Sequence, residues 1–167
     1  MDAEEMKRYL RETFAGIRAQ EANGDTFVTY DPDGDLPADR WLPFATIVTG
    51  DSYDTVSDLS RPGAYRLNMG LTKQAYTTHL GTAPIERDAK GVLISDADYT
   101  ARDTLMPHPI YANQHWASVI NPETTLATTK RLLAEAYDFA VRKHGNHRTR
   151  RHGTSTGSPG AAGPLTT

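Results

Sequence analysis

The chain contains no cysteine. That absence removes disulfides, thiolate nucleophiles and cysteine-based zinc or iron–sulfur sites. No apolar run approaches the ~20 residues that span a bilayer. The opening text MDAEEMKRYL is acidic and helical rather than basic and then apolar, so no signal peptide is expected and the expected address is the cytoplasm. There is no HExxH, GxSxG, P-loop or GxGxxG, so no catalytic or phosphate-cradling motif is legible.

A basic excess is missing too. Of the 18 Lys and Arg side chains, Lys143, Arg148, Arg150 and Arg151 follow residue 142, and none of the 21 acids does. Residues 1–142 therefore hold 14 bases against 21 acids, a formal charge of −7. A duplex-binding surface needs clustered cations to neutralise phosphates, which makes nucleic acid an unfavoured partner. The text from residue 143, KHGNHRTRRHGTSTGSPGAAGPLTT, has almost no large apolar side chains. It cannot bury enough surface to offset the entropy of ordering it, and reads as a disordered basic tail. The expected organisation is one domain over residues 1–142 and a tail over 143–167.

What is present reads as alternating local signals. Asp2 with Glu5 forms a capping box ahead of Met6, Leu10 and Phe14, which predicts a helix over residues 2–14. Residues 17–22 and 26–30 flank Asn23-Gly24-Asp25, a hairpin signal. The loop at 31–40 carries Asp31, Asp33 and Asp35, but Leu36 and Leu42 stand where a calcium loop needs Gly and Glu.

Residues 44–49, FATIVT, are apolar on both faces and read as a central strand. In residues 65–69, Tyr65, Leu67 and Met69 alternate with Arg66 and Asn68, so the first set faces a core and the second a polar rim. Thr72 caps a helix to Leu80, and Gly81 stops it. Residues 82–107 are the least readable, with a short helix expected from Ser95 or Asp96 to Leu105. Residues 115–120 read as a strand with Trp116, Ser118 and Ile120 on one face. Asn121-Pro122 opens a closing helix whose stripe is Leu126, Leu133, Ala136, Tyr137, Ala140 and Val141. The order predicts an α+β fold, an antiparallel sheet with helices packed on one face.

Several blocks carry a resemblance: GDTFVTYDPDG, PFATIVTGDSYDTVSDLSRPGAYRLNMG, LMPHPIYANQHWASVINP and LLAEAYDFAVRK. By these the chain resembles an uncharacterised bacterial family, domain of unknown function 6194. In element order it is also similar to the MmcQ/YjbR-like proteins, a resemblance that implies a two-layer α+β fold and a double-wing role on DNA.

The candidate site residues cluster around the two central strands. His108 with Asp51 or Asp54 would supply acid–base chemistry, since imidazole titrates near neutral pH and a carboxylate can orient it. Arg61, Arg66, Asn68 and Tyr111 are the candidate ligand contacts. Each also has a structural reading, with Asp51 and Asp54 capping turns and Arg61 and Arg66 pairing with nearby acids. No metal set and no cofactor is assigned. The leading expectation is a ligand- or partner-binding module with a polar rim on its sheet; a His/Asp or metal enzyme is the alternative.

Overall fold

In a computed structural model, the backbone is described for residues 1–155 and the side chains for residues 1–149. Helix α1 (Ala3–Thr13) opens on the expected capping box: Asp2 Oδ1 accepts from the Glu5 N–H and Glu5 Oε2 from the Asp2 N–H, each at 2.8 Å. Strands β1 (Ile17–Ala22) and β2 (Asp25–Tyr30) form a hairpin whose turn residues, Asn23 and Gly24, sit at φ 55° and 82°. Those positive values are what a two-residue turn between twisted strands requires.

Four more strands complete the sheet: β3 (Ala45–Val48), β4 (Arg66–Gly70), β5 (Met106–Pro107) and β6 (Trp116–Ile120). Their order is β1-β2-β3-β4-β6-β5 and every neighbouring pair is antiparallel. On one face lie α1, α2 (Lys73–Leu80) and α3 (Leu126–Ser155). Met6 and Leu10 of α1, Tyr76 of α2, and Leu132, Leu133 and Ala136 of α3 share one core with Ile47, Leu67, Met69 and Val119. At ~25 cal/mol per Å² of apolar surface, this cluster is the main source of stability. The fold is the expected α+β arrangement.

The other face departs from expectation. It is not an open polar rim, because the connections around residues 50–64 and 92–106 fold over it. Leu59, Ala64 and Met106 pack against Val48 and Ile120, with Ala97 and Tyr99 alongside. Arg66 and Asn68 are each 1% exposed as a result.

Three local expectations also change. Residues 95–105 form turns rather than a helix. Ser95 Oγ accepts from Ala97 N–H, and Asp98 Oδ1 from Thr100 N–H, and such short side-chain bonds compete with helical ones. Asn121 does not cap the last helix. It sits at φ 44° and bonds back to the sheet, accepting from Tyr65 N–H and donating to Gly63 O. The helix entry is held instead by Asp103, whose carboxylate accepts from the backbone N–H of Glu123, Thr124 and Thr125 and from both threonine hydroxyls. These bonds hold its pKa well below the usual carboxylate range.

The third concerns the extent of the last helix. Helix α3 does not stop near Arg142 but continues to Ser155. The remainder of the expected tail, residues 156–167, lies outside the described residues. On β6, Ser118 and Ile120 share a face as expected, while Trp116 lays its ring over Gly70 so closely that a Cβ there would meet it at 2.9 Å.

Candidate functional site

Thr46, Asn68 and Ser118 are directly opposed on β3, β4 and β6. That register dictates their bonding. Asn68 Nδ2 donates to Thr46 Oγ1 at 2.9 Å, and Asn68 Oδ1 accepts from Ser118 Oγ at 2.6 Å and from Arg66 Nε at 3.1 Å. The guanidinium of Arg66 then grips Asp54 with both ends, Nη1 to Oδ1 at 3.1 Å and Nη2 to Oδ2 at 2.9 Å, and reaches Ser57 Oγ at 2.8 Å. Burial alone would raise the Asp54 pKa, but Arg66 and the Val56 N–H hold it below the ordinary value. This is a buried, satisfied polar network.

His108 lies beside this network, close enough that the Arg66 and Asp54 charges act on it. Its Nδ1 accepts from the backbone N–H of Ile110 at 3.0 Å and Tyr111 at 3.1 Å. The proton of the neutral ring therefore sits on Nε2. Burial first, and then the Arg66 charge, push its pKa down to about 3, with Asp54 opposing. Neither nitrogen offers a lone pair to a substrate proton in this arrangement, and no hydrogen bond joins His108 to a carboxylate among the described residues.

The remaining candidates are dispersed. Asp51 Oδ1 accepts from Leu59 N–H and closes its loop. Arg61 donates to the carbonyls of Asp58, Ser57 and Thr100, stitching the two covering segments together. Tyr111 is half exposed, with its ring 5.1 Å from that of His108. The structure thus joins Asp54, Arg66 and Asn68, sets His108 and Tyr111 nearby, and leaves Asp51 and Arg61 in loop-bracing roles. No cluster of three or more His, Asp or Glu able to hold a metal occurs among the described residues.

A different place has the character of a receptor. A groove of about 270 Å³ lies between the C-terminal half of α3 and the segment around Arg40, Leu42, Pro43 and Phe44. From α3 it is lined by Ala136, Phe139, Ala140, Lys143, His144 and His147. These are spaced three and four apart and so share one helix face. The face begins apolar and turns cationic.

Lys143 Nζ lies 4.0 Å from the Phe139 ring centroid, and burial lowers its pKa. Arg40 Nη1 donates to the His147 ring, 2.6 Å from Nε2. His144 Nε2 is buried with no hydrogen-bond partner. Among the described residues no carboxylate lines the groove. The neighbouring acidic loop is already paired, Asp31 with Arg18 at 2.7 Å, and Asp33 and Asp35 with Arg148 at 2.6 and 3.2 Å.

This groove is not legible in composition, because the glycine- and threonine-rich text after residue 142 reads as one tail. The signal was the stripe at 136, 139 and 140 continuing in phase through 143, 144 and 147.

Fold and site together define a small α+β domain with a polar network sealed on one sheet face and a cationic, partly apolar groove beside its last helix. The chain belongs to the family described as a family of unknown function, DUF6194, which it matches over residues 1–150. No curated protein and no solved structure matches it. No helix among the described residues is long and apolar enough to cross a membrane.

Proposed function

We propose that this domain is a receptor for a small molecule and that the groove beside α3 is its site. The observation that carries this reading is the concavity itself, whose walls bring Arg40 and Lys143 together with Phe44, Phe139 and Ala140. The candidate residues on the sheet support the same reading by contrast. Asp54, Arg66 and Asn68 are consumed by one another, and His108 is kept neutral by burial, with its Nδ1 occupied by two backbone donors.

Thermal shift of the full chain against a broad metabolite panel, run beside Ala140→Trp, tests the site. Ala140 is half-buried on the groove wall, so an indole there fills the space. Compounds that raise the wild-type midpoint are expected to leave the filled variant unmoved. Equal shifts in both proteins would place binding elsewhere.

A further inference from the structure

We infer that the groove selects an amphipathic monoanion, a carboxylate carried on an alkyl or aryl body. This rests on the reading of the groove as a receptor and deepens it. The charge of the walls comes first. Arg40 and Lys143 carry fixed positive charge, two histidines accompany them, and no Asp or Glu is present. A recess with one sign of charge and low-dielectric walls concentrates ions of the opposite sign. Two acids of the neighbouring loop, Asp33 and Asp35, are bonded to Arg148.

The apolar part of the ligand follows from the rest of the lining. Phe44, Phe139 and Ala140 form walls, and Leu42 at the mouth is 75% exposed, an apolar side chain that a hydrocarbon body would cover. A cavity of about 270 Å³ is at the small end of the ~300–1,000 Å³ typical of ligand sites, so the body is of metabolite size.

The number of charges argues for a carboxylate over a phosphate dianion. Among the described residues only two fixed cations line the space, and one of them, Arg40, already donates to His147. No helix N-terminus adds the backbone donors that phosphate sites use.

Calorimetric titration of the full chain with octanoate, octan-1-ol, octylamine and inorganic phosphate tests the assignment. Octanoate is expected to bind about tenfold or more tighter than the alcohol or the amine, the factor that one charge-assisted contact supplies. Lys143→Gln is expected to remove most of that advantage. Leu42→Glu, at an exposed position that folding does not depend on, is expected to weaken octanoate and strengthen octylamine.

Alcohol binding as tight as octanoate, or tighter phosphate binding, overturns the carboxylate assignment. If Ala140→Trp abolishes that binding, the receptor reading survives. Octanoate binding that persists unchanged in Ala140→Trp, with a cooperative melt, overturns both. Silence from all four probes at millimolar concentration overturns the carboxylate assignment and leaves the receptor reading to the metabolite panel.

Discussion

Arg66 and Lys143 are both cations set among apolar and aromatic side chains, and the protein treats them in opposite ways. Arg66, at 1% exposure, donates to Asp54, Ser57 and Asn68 and has no capacity directed at solvent. Lys143 has the Phe139 ring beneath it, forms no ion pair among the described residues, and faces a cavity without a carboxylate. The difference teaches how to separate structure from site. Reactive residue types are common to both regions; unspent bonding capacity next to empty space is found in only one.

The largest effect expected from breaking this contrast is at Arg66. Arg66→Ala leaves Asp54 buried without its partner, which typically costs about 3–5 kcal/mol. Chemical denaturation measures it. The double replacement Asp54→Leu with Arg66→Met is expected to recover most of the loss, because no buried charge remains. A loss below about 1 kcal/mol in Arg66→Ala would mean that the network does not hold the loops on the sheet.

Acid comes next in size. His108 has a folded pKa of about 3 against 6.5 in the unfolded chain. Between those values the unfolded state binds the extra proton, so stability rises with pH across that window and is lost on acidification. The slope is at most about 1.4 kcal/mol per pH unit. Asp54, also depressed, adds loss in the same direction at lower pH. Stability measured at pH 7, 6 and 5 is expected to fall, and His108→Gln to flatten the fall. An unchanged slope in that variant would assign the acid sensitivity to other groups.

The smallest effect on stability is expected in the groove. Lys143→Gln and Leu42→Glu should each change unfolding free energy by no more than about 0.5 kcal/mol, the usual range for exposed positions with no buried partner. A loss comparable to that of Arg66→Ala would make the groove a second structural network and remove the contrast.

Much of the fold was legible because its signals are local. Asp2 and Glu5 mark a helix start without help from elsewhere, and Asn23-Gly24 sets a hairpin turn by its own backbone preferences. The alternation in residues 65–69 correctly separated Leu67 and Met69 from Arg66 and Asn68. Alternation says which side chains share a face, and says nothing of what covers that face. The cover came from segments around 50–64 and 92–106, whose turns show no period to read.

The start of α3 shows the same limit. Asn121-Pro122 is a plausible helix opening, yet Asp103 provides the cap from a segment about twenty positions away, where a pattern of neighbours is blind. At the other end of α3, composition outweighed periodicity. Glycine and threonine suggested a tail, while the in-phase stripe at 143, 144 and 147 continued the helix face.

By itself the amino-acid sequence determined the first helix, the hairpin that follows it, the α+β class and the absence of cysteine chemistry. Each follows from short-range backbone preference or from composition. Only the tertiary structure decided which polar residues are spent. Hydrogen-bond saturation depends on partners that folding brings from distant positions, as it brings Asp54 and Ser57 to Arg66 and Ser118 to Asn68. The same packing set Lys143 and His144 of the last helix beside Arg40 and Leu42, and left the space between them open.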